Sequence, residues 1–357
     1  MILIDFSSIF ARSVYSASKV GVHKENGFLK TEEFISEALY RIVDELIFLQ
    51  KTYSQEYGDL IICKDAKSGK YWRHDIYPLY KSSRKVRRDN TEINYAECKK
   101  YFNVLGMVLD KFVPWKVIEV ENAEADDVIG FLTNKFCNSE KILIWSPDKD
   151  FKQLHKLSPS IKQWSPLTNG WVVNDKPYWF ERHTCLGDAG DDVPRIVDFL
   201  DFTDEFREFI KIDENEFYDL SWNEKIEYVK QFLNLDQITS IDFFKIYNKK
   251  RFGEKTLIKI LESEGLESYL KTNPILEKQF KLNCSLVLDT KVPQDLEIKI
   301  LSAYLEAKNE FNFEKVNEYF DKLGLDKIQY ELKGLFLKSL NETPETSQVD
   351  FSSFNCI

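Results

Sequence analysis

Acidic residues stand at the ends of several predicted strands of this 357-residue chain. Apolar, β-rich runs at 2–6, 59–64, 116–120 and 141–146 predict four strands, and a carboxylate closes or soon follows each run. Carboxylates are the side chains that bind hard divalent cations such as Mg²⁺. The seven acids of this set are Asp5, Asp65, Glu124, Asp126, Asp127, Asp148 and Asp150. Their positions predict metal-dependent chemistry at one edge of a sheet.

The segments between the strands predict how these acids are brought together. Stretches with helical spacing, such as 32–51 and 124–137, separate the strands, and this alternation is typical of an α/β fold with a parallel sheet flanked by helices. The carboxyl ends of its strands meet at the edge where function gathers. Any single acid there can instead be a helix cap, but acids at four strand ends favour a site. Crowded carboxylates repel one another unless cations neutralise them, so we expect two Mg²⁺ ions, for which Mn²⁺ can substitute.

Two later segments carry further candidate residues. Residues 184–194 read Thr-Cys-Leu-Gly-Asp-Ala-Gly-Asp-Asp-Val-Pro and place Asp188 and Asp191 three positions apart. An ordinary turn fits this pattern equally well unless the fold returns it to the same edge. Residues 250–265 combine a basic entry, a glycine turn and an amphipathic helix, which favours contact with a backbone phosphate. The candidates there are Lys250, Arg251, Lys255 and Thr256.

Charge is distributed unevenly along the chain. The whole sequence has 49 basic and 59 acidic residues, a net charge of −10 that by itself disfavours a nucleic-acid partner. Residues 64–88, however, carry nine Lys or Arg against two Asp (+7), residues 245–259 carry six against one acid (+5), and 198–227 has three against eleven (−8). A solvated helix face explains any one run, but together they favour binding of a polyanion on one side. The first patch supplies the candidates Lys67, Lys70, Arg84, Lys85, Arg87 and Arg88.

Cysteine usage and hydropathy exclude other classes of protein. The six cysteines form no CxxC pair, which argues against zinc ribbons and disulfide frameworks and favours reduced thiols in a cytosol. Four scattered histidines make no metal-ligand spacing, so any metal is expected to be bound by oxygen. The sequence contains no apolar run of about 18 residues, the length that would predict a membrane span. Its N-terminus is unlike a signal peptide. We therefore expect a cytoplasmic protein without membrane contact.

The ordered motifs of this sequence resemble those of the flap endonuclease / 5′→3′ exonuclease family, in particular its phage ribonuclease H branch. The blocks that carry the resemblance are AKSGKYWRHDIYPLYKSSR (66–84), EADD (124–127), SPDKDFKQLHKLSPSIKQWSP (146–166) and the Gly-Asp-x-x-Asp of 187–191. The resemblance runs over 1–194 and resumes weakly over about 250–335. It implies a PIN-like α/β body with a helix–three-turn–helix element that binds DNA.

The resemblance implies hydrolysis of phosphodiesters by a two-metal-ion mechanism, and the lack of a Ser or Cys nucleophile paired with a base agrees with this. The first ion is assigned to Glu124, Asp126 and Asp148. The second ion is assigned to Asp150, Asp188 and Asp191. Asp5 and Asp65 are expected to act directly or through bound waters, and Asp127 to support the ligands. Arg73 and Lys81 match the catalytic pair that faces the scissile phosphate in the family and neutralises its charge.

The resemblance also implies a division of the chain. A nuclease domain at 1–194 contains a basic helical arch at about 70–112, whose aromatic residues are expected to stack on bases or to lie in the core. These residues are Tyr71, Trp72, Tyr77 and Tyr80. A helical DNA-binding subdomain at 195–340 departs from the family by an acidic insertion at about 196–247, and Asp192 stands where relatives often have Asn. Residues 341–357 are expected to form a flexible polar tail.

The implied substrates are DNA and RNA–DNA hybrids with a 5′ end or flap, recognised by shape and by the sugar-phosphate chain. Cleavage would leave a 5′-phosphate and a 3′-hydroxyl, and the implied role is removal of RNA primers and adjacent DNA during lagging-strand replication. In the tail, Gln348, Phe351 and Phe354 resemble a sliding-clamp-binding peptide; a tail with stray aromatics is an equal alternative. A single-strand-binding protein is another candidate partner, and we expect a monomer.

Other functions were weighed against the same residues. A haloacid-dehalogenase-like phosphatase needs a second Asp after the first strand, and Asp5-Phe6-Ser7 lacks it. A PIN-like ribonuclease fits the sheet but leaves the basic arch and 250–265 unexplained. A non-catalytic DNA-binding relative is expected to have lost an acid, and all the expected acids are present. A 5′ nuclease is the interpretation that accounts for the whole set.

Overall fold

A six-stranded sheet lies at the centre of the computed structural model, which describes residues 1–19, 24–25, 28–29, 31–89, 93–174, 176–287, 291–307 and 310–339. Its order is β5-β4-β1-β6-β7-β8. The strands are β1 (Ile2–Asp5), β4 (Leu60–Lys64), β5 (Lys116–Glu119), β6 (Ile142–Trp145), β7 (Ile161–Ser165) and β8 (Gly170–Trp171), with β2 (Lys24–Glu25) and β3 (Phe28–Leu29) paired separately. Neighbours in the large sheet are parallel except β7 and β8. The predicted α/β parallel sheet is confirmed; β7 and β8 were not among the predicted strands.

The register of the central strand decides where the acids emerge. All four residues of β1 are buried, and Ile4 lies opposite Ile62 of β4 and Trp145 of β6. Cys63 in turn lies opposite Ile118 of β5. Because the four strands are parallel and end nearly level, Asp5 and the residues that follow the other three strands share one edge.

The helices cover both faces of this sheet and build a second, wholly helical region. They are α1 (Phe6–Ser18), α2 (Thr31–Tyr57), α3 (Trp72–Ile76), α4 (Ser83–Asp89), α5 (Tyr95–Phe112), α6 (Ala125–Phe136), α7 (Trp179–Leu186), α8 (Asp204–Phe209), α9 (Glu214–Asp219), α10 (Trp222–Leu233), α11 (Ser240–Phe243), α12 (Glu254–Ser263), α13 (Leu266–Lys271), α14 (Pro274–Val287), α15 (Gln294–Glu306), α16 (Phe313–Lys322) and α17 (Gln329–Ser339). Short 3₁₀ segments occupy Lys149–Lys156 and Phe244–Ile246.

Two apolar layers enclose the sheet. Successive side chains of a strand point to opposite faces, so Ile2 and Ile4 join the core formed with α1, α2 and α5, whereas Leu3 joins the core formed with α6. Helix α15 packs on α6 and β5, α16 packs on α5, and α17 packs on α2. The last part of the predicted 195–340 subdomain therefore packs on the α/β body.

Helices α7, α12, α13 and α14 form a separate cluster after the sheet. Its buried side chains include Cys185, Leu257 and Leu276. The side-chain amide of Asn283, which is fully buried, donates to the carbonyls of Thr184 and Pro194, each at 2.7 Å. This fixes the 184–194 segment against α14, and thereby fixes the position of the two acids within it.

The acidic insertion folds into a compact aromatic cluster. Phe202, Phe206, Phe217 and Phe243 are fully buried in it. The same cluster contains Tyr77, Leu79 and Tyr80, which lie between α3 and α4. The insertion thus packs against the base of the predicted arch, and Tyr77 and Tyr80 lie in the core.

The range of the predicted arch, about 70–112, includes α5. Helix α5 buries Phe102, Leu105 and Leu109 in the core of the sheet, so this helix also covers the sheet. An amphipathic helix has the same 3.6-residue pattern in an arch as in a covering layer. The bounds of the arch stay a prediction. The segment between β4 and α5 that carries the basic residues is formed by α3 and α4.

Within the described ranges, no helix combines the length and the apolar character that crossing a membrane requires.

Candidate metal centre

Asp5 ends β1 and Asp65 follows β4, and both are held by neighbouring hydroxyl and amide groups. Asp5 caps α1 by accepting from the amide of Ser8 at 3.0 Å, and it also accepts from the hydroxyl of Ser146 at 2.9 Å. Asp65 accepts from the hydroxyl of Ser7 at 2.7 Å and from the amide of Ala125 at 3.0 Å. Each acid therefore links its own strand end to a second element, which gives both carboxylates defined positions.

The acids that follow β6 lie beside Asp5. Asp148 caps the 3₁₀ segment by accepting from the amide of Asp150 at 2.9 Å. Burial raises the pKa of Asp148 to about 7, and repulsion from Asp150, Asp5 and Asp191 adds to this effect. Burial likewise raises the pKa of Asp5 to about 6, helped by Asp65.

The raised pKa values of Asp5 and Asp148 are typical of acids that suit a metal ion. Buried carboxylates that repel one another keep their protons at a higher pH than isolated ones, and a divalent cation among them would remove that penalty. Their donor atoms are oxygens, the kind that Mg²⁺ and Mn²⁺ bind. The residues at this edge therefore fit a site for divalent cations.

Glu124 and Asp127 open α6 and are surrounded by donors. Glu124 is 2% exposed; its carboxylate accepts from Arg73 at 3.0 Å, lies 3.1 Å from the hydroxyl of Tyr80, and pairs with Lys81. Asp127 is fully buried and accepts from Arg73 at 2.7 Å, from the indole of Trp72 at 3.2 Å and from the amide of Glu124 at 2.8 Å. Asp127 thus holds Glu124 and Arg73 in place, which is a supporting role. Asp126, between them, is partly exposed in the first turn of α6.

Arg73 is buried and pairs with the two acids Glu124 and Asp127. Its side chain is 2% exposed and its Nε donates to the carbonyl of Leu286 at 2.9 Å. The guanidinium therefore holds these acids in place in this structure. Its direct contact with a scissile phosphate stays a prediction from the sequence.

Lys81 lies between two carboxylates, those of Glu124 and Asp191. It adopts a left-handed backbone conformation, with φ of 56°, and its ammonium lies between Glu124 and Asp191, 3.3 Å from the latter. Burial opposes its charge, but the two carboxylates outweigh burial and raise the pKa of Lys81 well above its usual range. Burial would raise the pKa of Asp191, yet Lys81 and Arg84 lower it to about 2. Lys81 and Asp191 therefore both stay charged.

Asp188 is brought to the site by a glycine turn. Gly187 has φ of +68°, and a Cβ there would lie 2.3 Å from the carbonyl oxygen of Val193, so only glycine fits. Asp188 then accepts from the amide of Gly190 at 2.6 Å and pairs with Lys149 at 2.7 Å. Asp188 lies close enough to Asp150 for ligand atoms of both to belong to one cluster.

His183 completes that cluster and was missed in the sequence. Ligand atoms of Asp150, His183 and Asp188 lie within 4.8 Å of one another. The imidazole Nε2 is 3.1 Å from Oδ1 of Asp150. No local spacing signals this, because the Gly187 turn and the contact between α7 and the 3₁₀ segment bring the three together.

Asp192, the acid that stands in place of the family's frequent Asn, has a structural position. It is 7% exposed and accepts from the amide and hydroxyl of Ser83, at 2.7 and 2.6 Å, and from the hydroxyl of Ser240 at 2.7 Å. Its φ of 60° is left-handed, a conformation that Asp and Asn adopt more readily than most residues. Asp192 therefore connects the 184–194 segment, α4 and the insertion.

The predicted nucleic-acid-binding residues lie at two places on the surface. Lys67 and Lys70 are exposed between β4 and α3, and Arg84 and Arg87 point to the carbonyl of Gly190 from α4. In the second place, Arg251, Lys255 and Thr256 are exposed at the start of α12, and Lys250 pairs with Asp201 at 2.8 Å. The side chains of Lys85 and Arg88, and the tail with Gln348, Phe351 and Phe354, lie outside the described residues.

Comparisons with known proteins show which proteins this chain is similar to. Residues 1–181 match the family model of the 5′-3′ exonuclease N-terminal resolvase-like domain. The chain is 38% identical over 145 residues to the ribonuclease H of Enterobacteria phage T4, an alignment that covers 39% of this chain and 46% of that protein. It is 25% identical to a 5′-3′ exonuclease of Aquifex aeolicus over 340 residues, covering 95% of this chain and 92% of that one. The chain thus spans about half of the T4 relative and nearly all of the Aquifex one.

A solved structure of the bacteriophage T5 flap endonuclease, in complex with DNA and metal ions, aligns with 94% of this chain and 98% of its own at 14% identity, with a TM-score of 0.48.

Proposed function

This chain belongs to the family of the 5′-3′ exonuclease N-terminal resolvase-like domain, and on that premise we propose that it is a Mg²⁺-dependent 5′ nuclease. It hydrolyses phosphodiesters of 5′ flaps and of RNA primers with adjacent DNA, and it leaves a 5′-phosphate and a 3′-hydroxyl. One observation carries the proposal: Asp5 is buried, Asp148 is half-buried, and neighbouring carboxylates crowd both, which raises their pKa values to about 6 and 7. Such an arrangement is costly for a protein that binds no cation there.

We assign the acids to two ions, and Lys81 pairs with one acid of each set, Glu124 and Asp191. Glu124, Asp126 and Asp148 would hold the first ion, with Asp5 and Asp65 beside them. Asp150, Asp188 and Asp191 would hold the second. Ions bound there supply the neutralisation of phosphate charge and the activation of water that this hydrolysis needs. Lys81 pairs with Glu124 and Asp191, so the metal ions and this lysine would compete for carboxylate oxygens of these two acids.

Lys81 is the side chain that we assign to the scissile phosphate. Its ammonium stays charged and pairs with Glu124 and Asp191, one acid assigned to each ion. A fixed positive charge at that place stabilises the charge that develops on the phosphoryl oxygens. Arg73 acts indirectly. It donates a hydrogen bond to the carboxylate of Glu124 and thereby orients that acid.

The surface around the acids suits a sugar-phosphate chain. A cavity of about 240 Å³ opens beside Asp65 and is lined by basic and aromatic side chains. Those that face a nucleotide there are Lys67, Tyr71, Tyr95 and Lys99. Basic groups neutralise phosphates and aromatic rings stack on unpaired bases. The exposed residues at the start of α12 would bind the DNA duplex at a distance from the acids. They are Arg251, Lys255 and Thr256.

The biological setting is the next part of the proposal. We propose that the protein acts on lagging-strand fragments during replication. It would do so as a monomer, in the cytoplasm. Contacts with a sliding clamp through Gln348, Phe351 and Phe354, and with a single-strand-binding protein, stay predictions from the sequence.

Cleavage of labelled oligonucleotides tests the proposal. A 5′-flap duplex and an RNA–DNA hybrid are incubated with the protein in Mg²⁺ or in EDTA, and the products are resolved on a gel. We expect cleavage in Mg²⁺ and none in EDTA. The variants Asp126→Asn and Asp148→Asn should still bind DNA, but their cleavage rate should be at least about a hundredfold lower than that of the wild type. Asp295→Asn, at a 69% exposed position of α15, is the matched control.

Two results would contradict the proposal. Full activity of either site variant would remove the metal assignment. Cleavage of single-stranded RNA with no cleavage of either duplex would favour a PIN-like ribonuclease instead.

A further inference from the structure

We propose that His183 is a nitrogen ligand at the second metal position, with Asp150 and Asp188, and that this position takes Mn²⁺ in preference to Mg²⁺. The inference rests on the proposed function for the presence of a metal at this edge. It goes beyond that function by naming a ligand of a different chemical type and the metal that this ligand selects.

The environment of His183 is the first observation. Its side chain is 7% exposed, and Nε2 has no aligned hydrogen-bond partner among the described residues. The atom nearest to it in the cluster, Oδ1 of Asp150 at 3.1 Å, is also buried and also lacks such a partner. Two buried polar atoms that face each other without a well-aligned hydrogen bond are costly unless a third group satisfies both.

The position of the imidazole is determined by the fold. The ring of His183 packs against the indole of Trp179, one turn earlier on α7, with centroids 5.0 Å apart. Helix α7 ends at Leu186, and the Gly187 turn then directs Asp188 back toward the same place. Asn283 fixes both ends of this segment through Thr184 and Pro194. The three ligand atoms are therefore brought together before any ion binds.

A competing cation occupies part of this place. The ammonium of Lys149 lies 2.7 Å from Oδ2 of Asp188, while Oδ1 of Asp188 accepts from the amide of Gly190. Since the side chain of Lys149 is 56% exposed, it is free to leave for solvent when a doubly charged ion arrives. Oδ2 of Asp188 would then be available to the metal, and Oδ1 would keep its hydrogen bond from the amide of Gly190.

The ligand set decides the preference between metals. Mg²⁺ favours an octahedron of oxygen ligands, much of it water. An imidazole nitrogen suits transition metals better, and their affinity for such sites exceeds that of Mg²⁺. Replacing one oxygen ligand by His183 thus favours Mn²⁺ at this position, whereas the first position keeps an all-oxygen set.

Pulsed electron paramagnetic resonance of the Mn²⁺-loaded full-length protein, without nucleic acid, tests the ligand directly. We expect nuclear modulation from a directly bound ¹⁴N in the wild type, replaced by the ¹⁵N pattern when histidine is isotopically labelled. His183→Gln should abolish it. His155→Gln is the control, because His155 hydrogen-bonds to Gln163 at 3.0 Å outside the cluster, and its loss should leave the modulation unchanged.

Calorimetric titration gives the second readout. His183→Gln should weaken Mn²⁺ binding about tenfold and Mg²⁺ binding about twofold or less. Wild-type protein that binds Mn²⁺ without histidine-nitrogen modulation would overturn the inference and leave His183 as a partner of Asp150 alone. That result would not affect the proposed nuclease, which the cleavage assay tests separately. Because the isotope experiment uses the wild type, a variant that fails to fold does not leave the inference untested.

Discussion

Asp192 and Ser240 are joined by a hydrogen bond of 2.7 Å that ties the 184–194 segment to the acidic insertion. Asp192 also accepts two hydrogen bonds from Ser83 of α4, and all three residues are buried. One carboxylate therefore links the segment that carries Asp188 and Asp191, the helix that carries Arg84, and the insertion. The insertion supports the site from behind, where its aromatic cluster packs on Tyr77 and Tyr80.

Asp192→Ala should destabilise the protein by about 2–3 kcal/mol, since it leaves the buried amide and hydroxyl of Ser83 without an acceptor. The loss should be local as well as global. Hydrogen exchange should accelerate in α4 and in 239–247, and stay unchanged in β1. Asp213→Ala, which removes only the cap of α9, is the control and should cost about 1 kcal/mol. Equal exchange in both variants would show that Asp192 connects nothing.

Arg73→Met should destabilise the protein by about 3–5 kcal/mol, because it leaves Glu124 and Asp127 buried without their countercharge. Urea unfolding measures this loss. In a double-mutant cycle with Asp127→Asn, the two changes should be non-additive by about 1–3 kcal/mol. The exposed pair of Arg41 and Glu37 is the control, and Arg41→Met should cost less than about 0.5 kcal/mol. A stable Arg73→Met protein that has lost only catalysis would support the direct phosphate contact.

The stability of the metal-free protein should fall as pH rises from about 4 to about 7. The pKa of Asp148 is raised to about 7 in the folded protein, so the folded state binds more protons than the unfolded state across that interval, and the penalty is complete above it. Asp148→Asn removes the penalty. In EDTA at about pH 8 it should raise the free energy of unfolding by about 1–2 kcal/mol, a value reduced because the carboxylate is partly exposed, and by less at about pH 5.

Adding Mg²⁺ should reverse the order of the same two proteins. A bound ion stabilises the folded wild type by mass action, whereas Asp148→Asn has lost a ligand. Thermal melts with EDTA and with millimolar MgCl₂ measure both effects. A variant that melts below the wild type in EDTA at about pH 8 would contradict the repulsion argument.

Arg251→Ala combined with Lys255→Ala should weaken DNA binding and reduce its salt dependence. Removing one cation that neutralises a phosphate lowers the slope of log K against log salt by about 0.9, so the pair should lower it by about 1.8. Fluorescence anisotropy with a labelled flap duplex over a salt series gives the slope. Lys299→Ala with Lys315→Ala, on α15 and α16 of the body, should leave it unchanged. An unchanged slope in the first variant would remove α12 from the DNA path.

The amino-acid sequence was sufficient to predict the sheet and the acids at its edge. A strand is a short local pattern, and parallel strands with acids after them can meet at only one edge. Asp5 ends β1, and Asp65 and Asp148 follow β4 and β6 within a few residues; their role as metal ligands stays a prediction.

Tertiary structure alone decided the role of other residues. The buried position of Arg73 depends on Leu286, 213 positions away, and that of Asp192 depends on Ser83 and Ser240. His183 of α7 lies 3.1 Å from Asp150 of the 3₁₀ segment although 33 positions separate them in the sequence. Local pattern determines which element a residue belongs to, whereas burial and ion pairing depend on which distant segments fill the space around it, and no spacing within one segment records that.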